Sequence, residues 1–341
     1  MAKKLSVSSS EVARRAGVSR TTVSFVLNKT PGKNIPEETR ALVFEAAREL
    51  NYVPDEEARR FAKKASLHAG FIASHSRSTA ADAYILRLLE GMVPVFNRHR
   101  CSLTLFSFRQ GQADYLDMIR ECALDGVIVT NTHEEDQGLR ALAASAVPLV
   151  VIGSVEGLDA FQIDIDNAAA AEEVVSYQLS LGHRSIGMIV HAPLSYYAAR
   201  SRLLGYRRAL EKAGVDYDEG LVRPADFSEE SGHAAMCGLL DSGRKIDAVF
   251  AGNDAVAYGA IEAIYDRRLR IPEDISIAGF DDDFPSRFVH PPLTTMTLPA
   301  SLLGARAAAT LVELIRGRAP EEHLIYMPTS LSVRESCGKP R

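Results

Sequence analysis

The 341-residue chain has no long hydrophobic run and only four cysteines, and it lacks the short motifs of common catalytic sites. Because no stretch approaches the roughly 20 apolar residues of a transmembrane helix, we expect no membrane partner. The N-terminal sequence MAKKLSVSSSE has no apolar core of a secretory signal peptide. This predicts a protein that stays in the cytoplasm, associated with the nucleoid if it binds DNA.

The cysteines are scattered, without the spacing of a disulfide framework or a zinc finger: Cys101, Cys122, Cys237 and Cys337. We expect reduced thiols that serve mainly in packing. The stretch Thr132-His-Glu-Glu-Asp136 suggests metal ligands, but it has no second His or Cys at ligand spacing. We interpret it as a solvated acidic loop and expect no metal ion and no cofactor.

Enzyme motifs are absent as well. The chain has no G-x-G-x-x-G after a predicted strand, no G-x-x-x-x-G-K-[ST], no G-x-S-x-G and no H-E-x-x-H. Nothing in the sequence therefore supplies a phosphate cradle or an activated nucleophile. We assign no catalytic residue and expect that the protein is not an enzyme.

Charge is distributed unevenly along the chain. The net charge of −5 by itself argues against a nucleic-acid binder. However, residues 1–64 carry thirteen Lys or Arg against eight Asp or Glu, a net charge of +5, which leaves −10 for the remainder. A basic N-terminal segment on an acidic body is the asymmetry expected when only that segment contacts phosphates.

The stretch from Ser8 to Asn28 has the pattern of a helix-turn-helix. Ser8 followed three residues later by Glu11 is a capping box, which predicts the start of a helix, and Gly17 can end that helix in the left-handed conformation. Ser19 is then placed to cap a second helix that ends near Asn28. The alternative is an ordinary helical hairpin on a globular protein.

The two predicted helices can pack through Val12, Ala16, Val23 and either Val26 or Leu27, which recur at three- and four-residue spacing. The solvent face of the second helix keeps polar side chains suited to base edges and phosphates: Arg20, Thr21, Thr22 and Ser24. A third helix is predicted at Glu37–Leu50. The segment Asp55–Lys64 is acidic at its start and basic at its end, as a short helix prefers, but so short a helix is marginal alone.

From Ser66 onward, short apolar runs alternate with amphipathic stretches. The runs predict strands at Leu67–Ala73, Ser102–Phe106, Gly126–Thr130, Leu149–Gly153, Phe161–Ile165, Ser185–His191, Asp247–Gly252, Ile275–Phe280, Thr294–Leu298 and Leu324–Met327. The stretches between them predict helices such as Tyr84–His99, Ala168–Leu181, Arg200–Ala213 and Ser231–Leu240. This alternation is typical of an α/β fold with parallel sheets covered by helices, and ten strands favour two lobes.

The first sixty residues resemble the headpiece and hinge of the lactose-repressor/galactose-repressor (LacI/GalR) family, on the stretches EVARRAGVSRTTVSFVLN, ELNYVP and ARRFA. The resemblance implies that the second helix enters the major groove and that hinge helices of two subunits pair in the minor groove. By position, the DNA-binding residues would be Ser19, Arg20, Thr21, Thr22, Ser24, Phe25 and Asn28, with Ala58, Arg59 and Phe61 in the hinge.

Two of these positions depart from the family pattern. Phe25 replaces a base-reading arginine of many members, and Phe61 replaces the leucine that wedges between base pairs. We expect Phe61 to act as the wedge, since an exposed phenylalanine on a marginal helix needs a partner to bury it. The alternative is that Phe61 packs against the body of its own chain.

The resemblance continues through the body, where IDIDN, LGHRSI, ARSRLLGY, DFSEESG, AGND, IPEDISIAGFDD and PPLTT follow the family's order and spacing. It implies a periplasmic-binding-protein type I body of two doubly wound parallel sheets behind an all-α helix-turn-helix headpiece. We expect a headpiece at 1–54, a hinge at 55–65, a body at 66–334 and a tail at 335–341. Within the body we expect an N-lobe at about 66–163 and 293–320 and a C-lobe at about 164–292 and 321–334, with crossings near Asp164, near Pro292 and near 316–324.

A ligand site is expected at the carboxyl ends of strands, where the lobes face each other. Arg202 supplies a fork of donors, Asp281 and Asn253 suit vicinal hydroxyls, and Phe227 offers a flat face to a sugar ring. By position these four match the family's effector contacts, and weaker candidates are Ser74, Asp82, Tyr84 and Asn167. Each has an alternative, such as a structural ion pair for Arg202 or a solvated turn at Asp281.

These features together predict a ligand-responsive transcription factor, most simply a repressor. A helix-turn-helix reads one half-site, so we expect a homodimer on a pseudo-palindromic double-stranded operator, controlled by a small carbohydrate-like effector. The rival classes are an enzyme and a transport binding protein; the headpiece and the missing signal peptide oppose the latter. The C-terminal segment has no heptad repeat, so no coiled-coil tetramer is expected.

Overall fold

The computed structural model describes residues 8–27, 35–50, 52, 67–74, 83–108 and 114–340, apart from the side chains of Ser74 and Phe108. The chain divides into two compact units, Met1–Ser66 and Leu67–Arg341, and each unit is described by itself. We call the first the headpiece and the second the body. Among the described residues, no helix is both long enough and apolar enough to cross a lipid bilayer.

The described part of the headpiece contains three helices: α1 (Ser9–Ala16), α2 (Arg20–Leu27) and α3 (Glu37–Glu49). The predicted capping box is confirmed, because the Ser8 amide donates to Glu11 Oε2 at 2.7 Å and the Glu11 amide donates back to Ser8 Oγ at 3.4 Å. Gly17 ends α1 with φ of +68°, the left-handed conformation that its missing side chain permits. Ser19 Oγ then accepts a hydrogen bond from the Thr22 amide at 3.0 Å at the start of α2.

All three helices contribute to one small core, in which Val12, Val23, Val26 and Val43 are fully buried. Of the two alternatives on α2, Val26 is the buried residue, and Leu27 is partly buried against the same core. A core of this size has little apolar area to offset chain entropy. Good capping therefore matters to the stability of the unit.

The body is built on two six-stranded sheets. The first has the strand order β11-β5-β4-β3-β1-β2 and the second β12-β10-β9-β8-β6-β7. The strands are β1 (Leu67–Ser74), β2 (Cys101–Phe108), β3 (Gly126–Thr130), β4 (Leu149–Ile152), β5 (Phe161–Asp164), β6 (Ile186–Val190), β7 (Val222–Pro224), β8 (Ala248–Ala251), β9 (Ser276–Asp281), β10 (Thr294–Thr297), β11 (Leu324–Tyr326) and β12 (Ser330–Ser332). Only the β10–β12 pair is antiparallel among these described strands. We call the half built on the first sheet the N-lobe and the other half the C-lobe.

In the described residues of the body, eight α-helices lie between these strands: α4 (Ala83–Arg98), α5 (Tyr115–Glu121), α6 (Gln137–Ala143), α7 (Asn167–Ser180), α8 (Tyr197–Lys212), α9 (Glu229–Leu240), α10 (Asp254–Asp266) and α11 (Ala300–Ile315). They pack in pairs, α4 with α11, α7 with α8 and α9 with α10. Strands such as β3 and β8 are buried along their whole length, as their near-continuous apolar sequences predict. The predicted doubly wound α/β body is confirmed.

The lobe boundaries differ from the sequence-based expectation. β10 pairs in parallel with β9, so it belongs to the C-lobe, and the chain crosses after Thr297 rather than near Pro292. β11 pairs with β5 at the edge of the N-lobe sheet, so the last crossing lies between Tyr326 and Ser330 rather than at 316–324. Prolines before β10 mark a turn, but a turn does not reveal that the next strand returns to the same sheet.

Helix pairs approach closely where one helix has a glycine. A β-carbon on Gly304 of α11 would collide with the main-chain carbonyl of Leu88 on α4, and one on Gly91 would collide with the carbonyl of Ser301. Backbone atoms cannot move aside as flexible side chains can. The two glycines therefore set the distance between these N-lobe helices.

We expect Gly304→Ala to destabilise the body by about 1–3 kcal/mol, because the added methyl must push the helices apart. Gly238→Ala is the matched control, since the nearest atom to its new methyl is Arg223 Nε at 3.5 Å. At that helical site alanine should be neutral or stabilise by about 0.5–1 kcal/mol. Thermal unfolding followed by circular dichroism measures both. Equal melting temperatures for the two variants would contradict the close-packing argument.

Candidate functional site

A cleft between the two lobes gathers polar side chains at the carboxyl ends of strands from both sheets. Asn131 directly follows β3, His191 directly follows β6, and Asp281 is the last residue of β9. Tyr84 on α4 and Arg202 on α8 line the same cleft. Parallel strands of both lobes thus present their carboxyl ends to one space, as doubly wound sheets do at ligand sites.

Arg202 is the central cation of the cleft and is 6% exposed. Its Nε donates to Asn167 Oδ1 at 3.0 Å, and its Nη1 donates to the Gly252 carbonyl at 2.5 Å. Asp281 Oδ1 lies 3.8 Å from Nη1, and the guanidinium carbon sits 3.6 Å above the centre of the Phe280 ring. Burial lowers the pKa of Arg202, while Asp281 and Asp164 oppose that shift. The cation is therefore held by hydrogen bonds, charge and an aromatic face together.

Asp164 lies at the first crossing between the lobes and lines the cleft. It accepts hydrogen bonds from Ser154 Oγ at 2.9 Å, from the Ile165 amide at 2.8 Å and from Asn167 Nδ2 at 3.2 Å. Burial raises the pKa of this carboxyl to about 6, against the effect of these donors. At neutral pH Asp164 is mostly ionised and adds a second negative charge near Arg202.

Asp281 has a left-handed backbone, with φ of +120°, and Asp282 follows with φ of +56°. Arg87, on α4 of the N-lobe, donates to the Asp281 carbonyl at 2.7 Å and to the Leu298 carbonyl at 2.7 Å. A non-glycine residue in this conformation is strained and persists only when its surroundings hold it. Arg87 of the N-lobe thus helps to hold the backbone of Asp281 in the C-lobe.

Beneath this segment, Asp254 at the start of α10 is completely buried. It accepts hydrogen bonds from Ser286 Oγ at 2.5 Å, from Thr295 Oγ1 at 2.6 Å and from the Asp283 amide at 2.9 Å. Burial raises the pKa of Asp254 to about 7 despite these donors. This carboxyl anchors the turn that follows Asp281.

The aromatic wall of the cleft is Phe227, whose backbone φ of +70° is rare for a bulky residue. Its ring meets the edges of His191, with centroids 5.5 Å apart, and of Tyr196, with centroids 5.3 Å apart. Burial and the nearby Arg202 lower the pKa of His191 well below its usual value, so the imidazole is neutral. The strained backbone at Phe227 presents its ring toward the cleft.

The acidic stretch at 132–136 is not the solvated loop that we expected from the sequence. Thr132 and His133 are buried, and His133 forms an isolated antiparallel bridge with Tyr196 of the C-lobe. Glu134 accepts two hydrogen bonds from the Arg200 guanidinium, and this contact lowers the pKa of Glu134. The local sequence pattern could not reveal these contacts, because Tyr196 and Arg200 lie more than sixty positions further along the chain. The loop closes one side of the cleft.

In the headpiece, α2 turns one polar face outward. Arg20, Thr21 and Ser24 are exposed, Thr22 and Phe25 are half-buried, and Ser19 at the N-cap is exposed. The positions 20, 21 and 24 share one side of the helix because residues four apart are neighbours. Such a face fits the width of a DNA major groove.

Comparison with known protein families matches two parts of the chain, one in the headpiece and one in the body. The model of bacterial regulatory proteins of the lacI family matches residues 10–55, and that of the periplasmic binding protein-like domain matches residues 175–337. The HTH-type transcriptional regulator CelR of Thermobifida fusca is 33% identical over 331 residues, covering 95% of this chain and 96% of CelR. The chain belongs to the LacI family. The HTH-type transcriptional repressor PurR of Pasteurella multocida is 34% identical over 333 residues, covering 96% of this chain and 97% of PurR.

Solved structures of LacI-family proteins superpose over nearly the whole chain. A CelR–cellobiose complex has a TM-score of 0.74 at 30% identity, covering 97% of this chain and 99% of that one. A lac repressor dimer bound to operator and the anti-inducer ONPF has a TM-score of 0.80 at 28% identity, again covering 97% and 99%. These relatives are transcriptional regulators, and the chain is a DNA-binding transcriptional regulator with a helix-turn-helix and a periplasmic-binding-protein-like body.

Five of the predicted effector residues line one cleft with Arg202: Tyr84, Asn167, Phe227, Asn253 and Asp281. Ser74 ends β1, with its side chain outside the described residues, and Asp82 lies wholly outside them. Asn28, Ala58, Arg59 and Phe61 of the predicted DNA surface also lie outside the described residues. The binding roles of all these residues stay predictions.

Sequence patterns missed several residues of the cleft: Thr130, Asn131, Thr132, Ser154, His191 and Tyr196. Two of them, Asn131 and His191, directly follow a buried strand, and that position was the available signal. Among the described residues, no group of three or more His, Cys, Asp or Glu side chains is arranged to hold a metal ion.

We expect the stability of Asp254→Asn relative to wild type to increase progressively as the pH rises from 4 to 8. The folded-state pKa of about 7 exceeds the unfolded value of 3.8, so the contribution of Asp254 to stability is full below pH 4 and is lost as the pH rises through 7. An asparagine side chain does not ionise, so the variant does not lose this stability as the pH rises. Melting temperatures across the pH range measure the difference, which should grow by several degrees.

Asp218→Asn provides the control for that pH series. Arg244 hydrogen-bonds to Asp218 and holds the pKa of this exposed carboxyl below 3.8, so its titration is complete before pH 5. Its stability difference from wild type should therefore be flat between pH 5 and 8. A flat profile for Asp254→Asn as well would show that Asp254 is not protonated in the folded body.

Proposed function

We propose that the protein is a cytoplasmic repressor that binds a pseudo-palindromic operator as a homodimer and whose operator affinity is set by a neutral, hydroxyl-rich sugar. The observation that carries this proposal is the buried Arg202–Asp281 pair, which lines an interlobe cleft in a chain that also carries a helix-turn-helix. In this proposal the body senses the sugar, the headpiece reads DNA, and the hinge at 55–65 couples them.

The DNA-reading role rests on the exposed face of α2. Arg20 can donate two parallel hydrogen bonds to a guanine, and Thr21 and Ser24 can bond either to bases or to phosphates. The net charge of +5 on residues 1–64 favours the approach of this unit to DNA over the approach of the acidic body. In the hinge, which lies outside the described residues, we retain Phe61 as the proposed minor-groove wedge.

The homodimer follows from the size of the DNA contact and from an apolar surface on the C-lobe. One helix-turn-helix reads one half-site, so a specific operator complex needs two. Phe284 and Phe288 are 75% and 61% exposed, with ring centroids 4.9 Å apart. An exposed aromatic pair of this kind favours burial against a second subunit. The lac repressor in the comparison is a dimer on its operator.

The effector class follows from the charge and shape of the cleft. Arg202 is balanced by Asp281 and, at neutral pH, also by Asp164, so the cleft has no excess positive charge for an anion. The donors of Arg202 and the acceptors of Asp281 suit the hydroxyls of a sugar. The flat apolar ring of Phe227 suits the C–H face of a sugar ring. The CelR structure in the comparison holds cellobiose. Among the described residues, no cluster of His, Cys, Asp or Glu side chains is arranged to hold a metal ion, and we propose a sensor rather than an enzyme.

The proposal is tested by fluorescence anisotropy with the DNA upstream of the protein's own gene. Specific binding is expected, with the affinity changed by at least one of four neutral sugars: cellobiose, maltose, lactose or glucose. Glucose 6-phosphate, as the anionic comparison, should have no effect. An enzyme or a transport binding protein with this body would not bind the DNA specifically, and that result would reject the proposal.

Arg20→Ala should lose about 1–3 kcal/mol of binding to the specific operator, with little change in binding to unrelated DNA. The matched variant Arg20→Lys keeps the charge but not the planar fork of donors, so it should lose nearly as much specificity. Anisotropy titrations at several salt concentrations separate the two contributions. Equal losses on operator and unrelated DNA would make Arg20 a phosphate contact.

Arg202→Ala and Asp281→Asn should each weaken binding of the effective sugar at least tenfold, because each removes a charge-assisted hydrogen bond at a buried site. Arg208→Ala, at an exposed position of the same helix, is the control and should bind the sugar like wild type. Isothermal calorimetry measures the affinities, and melting temperatures verify folding. Unchanged sugar affinity in a folded Arg202→Ala protein would remove Arg202 from the site.

A further inference from the structure

Arg87 on α4 belongs to the N-lobe, but its guanidinium bonds to two segments at the edge of the C-lobe. Nη1 donates to the Asp281 carbonyl at 2.7 Å, and it lies 3.4 Å from the Asp282 carbonyl and 3.3 Å from Asp283 Oδ1. Nη2 donates to the Leu298 carbonyl at 2.7 Å. Both short bonds end on main-chain carbonyls. Arg87 therefore holds backbone more closely than it holds another side chain.

The two carbonyls belong to residues that line the cleft. Asp281 ends β9 and carries the carboxylate beside Arg202, and Leu298 directly follows β10, where the chain crosses to the N-lobe. The Leu298 amide donates to the Asp281 carbonyl at 3.2 Å. The guanidinium and the two segments thus form a closed ring of hydrogen bonds. One residue of the N-lobe ties together two segments that form the cleft.

The backbone of Asp281 needs such support, because its φ is +120°. Glycine adopts this conformation readily, but an aspartate in it is strained and stays there only when neighbouring groups hold it. A change in φ would swing the side chain about the N–Cα bond and move the carboxylate. Arg87 provides part of the hold without being one of the residues that line the cleft, whereas Tyr84, three residues earlier on α4, does line it.

The two bonds to carbonyls use a property that arginine has and lysine lacks. A guanidinium is planar and carries donors on Nη1 and Nη2 in a fixed fork, so it can hold two carbonyls at a set separation. An ammonium group is a single point with the same charge. If Arg87 served only as the ion-pair partner of Asp283, either residue would suffice. The carbonyl bonds of 2.7 Å, against 3.3 Å to the Asp283 carboxylate, favour the fork.

We propose that Arg87 is a positioning residue of the effector site, which sets the place of the Asp281 carboxylate by holding the Asp281 backbone against Leu298 and does not itself touch the ligand. The inference rests on the proposed function in that it takes Asp281 to contact the effector. It adds a residue from outside the cleft, on the opposite lobe, to the groups that determine effector affinity.

The first test is calorimetry of three variants with cellobiose, maltose, lactose and glucose. Arg87→Ala should bind the effective sugar about tenfold more weakly, because the carboxylate is no longer held in place. Arg87→Lys keeps the charge without the fork and should remain about threefold weaker than wild type. Arg98→Ala, at an exposed position of the same helix, is the matched control and should bind like wild type. Wild-type affinity in either Arg87 variant would overturn the proposal and leave the proposed function intact.

A double-mutant cycle distinguishes positioning of Asp281 from a general loosening of the body. Asp281→Gly removes the carboxylate and adopts the positive φ without strain. In that background Arg87→Ala should weaken sugar binding by less than about twofold, because the group that Arg87 positions is gone. In the background of Phe227→Leu, whose wild-type ring packs on His191 and Tyr196, Arg87→Ala should keep its full effect. Additive losses with Asp281→Gly would show that Arg87 acts independently of Asp281 and would reject the proposal.

Crystal structures of the sugar-free full-length wild type and Arg87→Ala proteins give a readout that needs no ligand. In the variant, φ of Asp281 should leave the positive region, and its carboxylate should move away from Arg202 Nη1, which is 3.8 Å from Asp281 Oδ1 when Arg87 is present. An unchanged Asp281 would contradict the positioning role. If none of the four sugars binds wild type, the proposed effector class fails, and these two structures still decide whether Arg87 positions Asp281.

Discussion

Burial of the Arg202 guanidinium is the constraint on which the cleft depends. Removing a cation from water costs several kcal/mol unless hydrogen bonds and opposite charge replace its hydration. Here the replacements are Asn167 at the start of α7, the Gly252 carbonyl after β8 and Asp281 at the end of β9. Three elements that are distant in sequence must therefore converge within hydrogen-bonding distance of one side chain. Arg202 held in this way is one of the residues that line the cleft.

The C-lobe does not hold this arrangement by itself. Arg87 reaches from the N-lobe to the carbonyls of Asp281 and Leu298, and Glu134 on the loop after β3 pairs with Arg200, two residues before Arg202. Any relative movement of the lobes must change one of these contacts, and the exposed Glu134–Arg200 pair is the weaker of them. The contacts that join the lobes therefore involve residues next to or within the lining of the cleft.

Sequence patterns predicted the features that depend on local chemistry. The capping box at Ser8, the apolar strands such as β3 and the alternation of strands with helices each have a signal within a few residues. β12 was missed because Ser330–Ser332 has no apolar run, and its pairing with β10 depends on the folded sheet. Arg202 and Asp281 were found because the resemblance to the family marks their positions. Arg87 and His191 have no such mark, and their roles arise from partners about 190 and 60 positions away.

Part of the backbone strain in the body lies in the cleft, and part lies elsewhere, at Arg100, Ala123 and Arg268. Phe227, Asp281 and Asn131 have positive φ, and Asn131 and His191 carry unpartnered polar atoms, all within one cleft. Each costs free energy in the empty protein, which a fold selected for stability alone would remove by substitution. Three strained residues retained at one cleft therefore indicate that this part of the body was selected for function rather than for stability alone.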